Sequence, residues 1–284
     1  MFSSLGLTSV ETGGNILISN TLFDFKDADP SLFENTELII HPNSGYDNFP
    51  VSFVKEAPFP IVVGNPIRAE GVAEYSLSCL FQNYSSVPSQ KAWHPGRHWD
   101  RPLLSELKIL IVGFGHIGKL IYHSLSALGV RPNVYDPDQK KDQREGLYDC
   151  VIMACSLNPT SHHLVNADFL EQHMKTDGCL INGARGKLVK QEDLKEFALA
   201  HQKFTAFLDV FEKEPQGLEY FSSMPNITTS SHIAGVSHAL DDLMITFERK
   251  ILEYWLSGKS LEEICPELLL RNRIRHSESS DFLI

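Results

Sequence analysis

Three residues in the second half of the chain have side chains suited to bond-making chemistry, and each follows an apolar, strand-like run. Arg185 stands in GCLINGARGKLV, residues 178–189, wedged between Ala184 and Gly186 where every neighbour is small. A guanidinium is always charged and presents a rigid fork of donors, which suits it to carboxylate and carbonyl oxygens. Glu214 lies in FTAFLDVFEKEP, five residues after Asp209 at a strand end, and His232 lies in SSHIAG. An imidazole transfers protons near neutral pH, and a carboxylate on one ring nitrogen fixes its orientation and favours its protonated form. Because all three follow strand ends, one crevice could gather them.

The stretch KILIVGFGHIG, residues 108–118, supplies a second kind of chemistry. A buried strand runs directly into Gly113-x-Gly115-x-x-Gly118 and then into a helical pattern over 119–128. Such glycines provide a tight turn, close backbone approach to a diphosphate, and close helix-on-strand packing at a helix N-terminus. His116 and Ile117 fill the variable positions and contribute through backbone. A second strand, 130–135, ends in Asp136, placed to accept hydrogen bonds from adenosine ribose hydroxyls. Asp136 would repel a 2′-phosphate, so the pattern predicts NAD over NADP. In ACSLNPT the strand over 150–153 exits toward the same dinucleotide through Cys155 and Ser156.

Composition narrows the alternatives. The 284 residues, 42% of them hydrophobic, are enough to bury a full core and to form two domains. A net charge of −11 with scattered Lys and Arg argues against nucleic acid as a partner. No apolar run approaches a bilayer span, and the N-terminal residues lack a signal-peptide pattern, so the expected location is the cytoplasm, without a membrane partner. Five cysteines with no CxxC pair read as reduced packing residues. No metal site is expected: His162 and His163 point in different directions on any regular element, and His94-Pro95-Gly96 cannot continue a helix to His98.

The elements that must position these groups follow from periodicity. Apolar runs at 15–18, 37–40, 61–63, 108–112, 130–135, 150–153, 179–181 and 204–208 alternate with amphipathic stretches, the signature of an α/β fold with a parallel sheet. The segment 85–104, with three prolines and two tryptophans, reads as a domain boundary, and 235–255 reads as one long helix. The expected division is a smaller domain, 1–84 with 258–284, and a Rossmann doubly wound domain, 85–257.

Read together, GFGHIG, the strand ending in YDP, ACSLNPT, INGARGKLV, LDVFEKEP and SHIAG resemble, in order and spacing, the D-isomer-specific 2-hydroxyacid dehydrogenase family. Upstream, ELIIHPNSGYDN and NPIRAEGVAEY resemble its substrate-domain motifs. The resemblance implies an NAD-dependent enzyme that interconverts small 2-oxo acids and D-2-hydroxy acids, and it implies that the smaller domain is a flavodoxin-like substrate domain. Arg185 would bind the substrate carboxylate, His232 would act as acid and base, and Glu214 would orient His232. Gly183, Ala184, Asp209 and Gly235 would complete the cofactor contacts, with Ser44, Gly45 and Asn65 toward substrate. The segment holding Trp93 and Trp99 resembles the family's dimerisation region, which implies a homodimer. An NAD(H)-sensing regulator with little or no catalysis is the competing reading on this scaffold.

The chain departs from the family pattern in three places. The first domain reads as lacking an initial β-α-β unit, His116 stands where many relatives carry arginine, and Ser231 stands where proline usually precedes the histidine. The polar tail through RNRIRHSESSDFLI has no assigned role.

Overall fold

A computed structural model describes residues 2–10, 13–93 and 95–274. His94 and most of the tail that begins at Arg271 lie outside them, so the question of a His94–His98 pair does as well. In chain order the strands are β1 (Ile16–Ile18), β2 (Leu38–His41), β3 (Ile61–Val63), β4 (Ile109–Val112), β5 (Asn133–Asp136), β6 (Lys141–Asp142), β7 (Tyr148–Met153), β8 (Met174–Asn182), β9 (Thr205–Leu208) and β10 (Ile227–Thr229). The α-helices are α1 (Val51–Glu56), α2 (Ala69–Ser85), α3 (His116–Ala127), α4 (Ala167–His173), α5 (Gln191–Ala200), α6 (Gly217–Tyr220), α7 (Leu240–Leu256) and α8 (Leu261–Ile264).

The chain forms two compact units: 1–68 with 157–159 and 236–284, and 69–156 with 160–235. In the first unit β1, β2 and β3 form a parallel sheet in that order. Its strands are apolar on both faces because both faces are covered. Leu38, Ile40 and Val62 pack with Ile251 and Leu252 of α7 and Leu261 of α8. Ile39, Ile61 and Val63 point the other way, into a cluster around Phe25, Phe49 and Val54.

The second unit is a seven-stranded sheet in the order β10-β9-β8-β7-β4-β5-β6, parallel except for the β5–β6 pair. This is the doubly wound arrangement expected from the sequence. The chain leaves β4 for β5 on one side and returns to β7 on the other, so the strand order reverses between β4 and β7. In open α/β sheets ligands bind beyond the carboxyl ends of the strands at such a reversal. Ile109 and Ile111 of β4 pack in one buried cluster with Ala73, Cys79 and Leu80 of α2 and Ile121 and Leu125 of α3.

These contacts move two boundaries from where the sequence put them. Helix α2 falls in the second unit because its apolar stripe covers β4, whereas the sequence division ended the first domain at residue 84. Helix α7 falls in the first unit because Ile251 and Leu252 pack on β2 and β3, whereas the division left 235–257 with the dinucleotide domain. Strands β6 and β10 have no clear sequence signal: one is two residues long, and the other alternates buried and exposed over three. No helix among the described residues is long and apolar enough to cross a membrane.

Candidate active site

Within the second unit the expected groups emerge from the carboxyl ends of parallel strands, on one edge of the sheet. Gly113 follows β4, Asp136 ends β5, Cys155 and Ser156 follow β7, Arg185 follows β8, Asp209 follows β9 and His232 follows β10. The parallel register brings together side chains that lie more than a hundred residues apart in the chain.

The three glycines of the first loop do different work. Gly113 has φ +98°, and a Cβ there would lie 2.5 Å from the Cys155 amide nitrogen, so the loops after β4 and β7 touch backbone to backbone. A Cβ on Gly118 would lie 2.0 Å from the Gly113 carbonyl oxygen, which is the close packing of helix on strand. Gly115, the N-cap of α3, would meet nothing within 4 Å. That open space at the start of a 12-residue helix fits a diphosphate group, drawn by the helix's unsatisfied amides. His116 and Ile117 open α3, and Ile117 packs its side chain against the core.

Asp136 is 9% exposed, and its Oδ2 accepts a 2.6 Å hydrogen bond from the Phe114 amide while Oδ1 accepts from the Gln139 amide at 3.0 Å. The carboxylate therefore braces the glycine loop. Cys155 is a half-buried thiol pushed up to about 12 by burial, so it stays protonated and packs rather than reacts. Ser156 is exposed beside it.

Arg185 is set by a local clamp. The Asn182 side chain accepts from the Ala184 amide at 3.1 Å and donates to the Arg185 carbonyl at 2.9 Å, closing the turn that carries the guanidinium. Ala184 is buried, and the Arg185 side chain donates to its carbonyl at 2.8 Å. A Cβ on Gly186 would lie 1.9 Å from the Phe211 carbonyl carbon, so glycine is required where the two backbones cross. Gly183 owes its size to protein neighbours: a Cβ would sit 3.4 Å from both the Tyr75 ring and the Ala234 methyl.

Phe211 links that crossing to the acid. Its amide donates to Glu214 Oε1 at 3.0 Å, and the other carboxylate oxygen lies 2.7 Å from His232 Nδ1. A carboxylate has no proton to give, so Nδ1 carries the hydrogen and Nε2 is the nitrogen left to exchange one. Burial raises the Glu214 pKa, but the His232 and Phe211 hydrogen bonds and the charges of His232 and Arg185 outweigh it and hold Glu214 below the usual range. The structure thus brings Arg185, Glu214 and His232 into one electrostatic neighbourhood.

Asp209, expected as a cofactor contact, is fully buried. Its carboxylate accepts from the Ser230 hydroxyl at 2.6 Å and from the Ile233 and Ala234 amides at 2.8 and 2.7 Å. The carboxylate secures the His232 loop. Gly235, at the end of that loop, lies against α2, where a Cβ on Gly71 would come within 3.5 Å of its Cα.

In the first unit, the Ser44-Gly45 turn follows β2. Buried His41 donates from Nε2 to the Gly45 carbonyl at 2.9 Å and accepts at Nδ1 from the Ser19 hydroxyl at 2.9 Å, which sets its tautomer and holds the turn. Asn65 is buried with its Oδ1 lacking a hydrogen-bond partner, an acceptor still open to a donor. His162 and His163 stack at 3.9 Å, and His163 lies 3.3 Å from Glu212; no group of three or more possible metal ligands occurs among the described residues.

A family model for the NAD-binding domain of D-isomer-specific 2-hydroxyacid dehydrogenases matches residues 77–234, more than half of the chain. The chain belongs to that family. Among curated proteins it is 24% identical to glyoxylate/hydroxypyruvate reductase HPR3 of Arabidopsis thaliana, over 70% of this chain and 66% of that protein. It is 28% identical to erythronate-4-phosphate dehydrogenase of Saccharophagus degradans, over 75% of this chain and 57% of that one. The chain thus spans less than two thirds of the length of these two relatives. The fold is similar to that of D-lactate dehydrogenase from Aquifex aeolicus, solved with NAD and lactic acid: TM-score 0.69, 18% identity, 90% of this chain and 86% of that one. It is also similar to a D-isomer-specific 2-hydroxyacid dehydrogenase from Lactobacillus delbrueckii in its NAD complex: TM-score 0.69, 18% identity, 91% and 87% covered.

Two glycines separate binding from folding. Gly115→Ala should leave stability within about 1 kcal/mol, since it only replaces one N-cap residue by a poorer one, yet weaken NADH binding at least tenfold. Gly186→Ala should destabilise the whole unit. Thermal melts and NADH fluorescence titration check both; equal loss of stability in the two variants would contradict the geometry.

The lowered pKa of Glu214 has a sign. Its ionised form is favoured by folding, so the stabilisation is complete above the ordinary glutamate value of about 4.3 and is lost as pH falls through the lower folded value. Glu214→Gln should melt below wild type at pH 7 and converge with it under acid, as read from melting temperatures between about pH 3 and 7.

Proposed function

We propose that the protein reduces small 2-oxo acids to D-2-hydroxy acids with reduced NAD. The observation that carries this reading is the 2.7 Å His232–Glu214 pair within the electrostatic reach of Arg185, on the sheet edge that bears the glycine loop. Bound NADH supplies the hydride. The residues to hold it are the glycine loop at 113–118, with Asp136 at the ribose and Cys155 and Ser156 on the neighbouring loop. An acidic residue at the ribose favours NAD over NADP.

The remaining work belongs to the chain. The forked guanidinium of Arg185 binds the substrate carboxylate and polarises the carbonyl. As negative charge develops on the carbonyl oxygen, His232 delivers its Nε2 proton there, and in the reverse direction takes it back. Glu214 keeps Nδ1 protonated, orients the ring, and stabilises the imidazolium. Ser44, Gly45 and Asn65 are further proposed substrate contacts. The proposed homodimer is supported by the exposed segment between α2 and β4, where Val87 is 80% and Trp93 81% exposed.

Absorbance of NADH mixed with glyoxylate, hydroxypyruvate, pyruvate and phenylpyruvate in turn tests the reading. At least one acid should be reduced, and His232→Ala should lower kcat by about 10²- to 10⁴-fold with NADH affinity retained. Binding of NADH without reduction of any 2-oxo acid would contradict the proposal, as would unaltered turnover in His232→Ala.

A further inference from the structure

We infer that Tyr75 is a positioning residue for His232, acting through a hydrogen-bond chain that runs from its hydroxyl through Ser230 to Asp209. The inference rests on the proposal that His232 transfers the proton, and it concerns how the ring is held.

His232 has φ +56°, a left-handed conformation that residues with a Cβ avoid and that persists only where the surroundings impose it. Asp209 imposes it from both ends of the residue. Its backbone carbonyl accepts the His232 amide at 2.8 Å, and its carboxylate takes the next two amides, those of Ile233 and Ala234. The strained residue is thus clasped between three backbone hydrogen bonds to one buried side chain and its own peptide.

The side-chain donor to Asp209 is Ser230, at 2.6 Å. Since a carboxylate only accepts, the Ser230 hydrogen is committed to it, and Ser230 Oγ must accept from the Tyr75 hydroxyl 2.7 Å away. The order of donation is therefore Tyr75 to Ser230 to Asp209, a directed chain of the kind whose members strengthen one another. Burial raises the Tyr75 pKa well above the ordinary phenol value, so Tyr75 remains a donor at any working pH. The ring of Tyr75 lies against Gly183, at the start of the Arg185 turn, so one side chain of α2 touches the loops that carry both Arg185 and His232.

Removing only the hydroxyl separates this role from packing. Tyr75→Phe keeps the ring against Gly183 but leaves Ser230 Oγ without its donor and free to turn from Asp209. The measurements are steady-state kinetics, NADH affinity, melting temperature and the ¹⁵N resonances of the His232 ring, in wild type, Tyr75→Phe, Ser230→Ala and Ser230→Thr. Tyr75→Phe should lower kcat about 3- to 10-fold, the scale of one lost hydrogen bond, with NADH affinity and melting temperature near wild type. Ser230→Ala should do the same, Ser230→Thr should restore the chain, and in a His232→Ala background Tyr75→Phe should have no further effect. The His232 Nδ1 resonance should move in Tyr75→Phe and Ser230→Ala and not in Ser230→Thr. An unmoved resonance, wild-type kcat, or an equal loss of kcat in the His232→Ala background would overturn the inference. If wild type reduces no 2-oxo acid, the proposed reaction fails, and the resonances alone still decide whether Tyr75 positions His232.

Discussion

Where the backbone passes between Gly186 and Phe211 there is no space for a side chain on the first, and the candidate active site depends on that crossing. It presses the turn carrying Arg185 onto the segment whose amide holds Glu214. Glu214 in turn holds the imidazole of His232. A cation, a carboxylate and a proton carrier from three strand ends are thus registered through one main-chain crossing and the two hydrogen bonds of Glu214.

The sheet provides the platform. Strands buried on both faces leave only their ends for chemistry, and parallel pairing points those ends the same way. The polar groups that hold the loops are paired: Asp209 has donors for its carboxylate, Asn182 closes the Arg185 turn, and His41 is bonded at both ring nitrogens. A buried polar group left without partners is costly, so these pairings hold the loops in a single arrangement.

Much of this was legible in the sequence. The run Lys108–Val112 leading into spaced glycines announces both β4 and its ligand loop, because glycine spacing is a local consequence of backbone geometry. The strands at 61–63 and 205–208 stand within a residue of their apolar runs. What stayed hidden depends on contacts between distant segments. Nothing near Gly186 says that Phe211 crosses it, nothing near Asp209 says that its donors come from 230–234, and Tyr75 reads simply as one more aromatic on an amphipathic helix. The unit boundaries slipped for the same reason, since the stripe of a helix does not say which sheet it covers.

The central claim is that this edge of the sheet moves a hydride to the C2 of a 2-oxo acid while His232 supplies the proton. The most direct measurement supplies NADH stereospecifically deuterated at C4, with hydroxypyruvate as acceptor, and examines the product by NMR and chiral chromatography. The account predicts glycerate of D configuration with deuterium at C2, formed by wild type and about 10²- to 10⁴-fold more slowly by His232→Ala. Product of L configuration, or deuterium retained on the nicotinamide when both C4 positions are tried in turn, would contradict it.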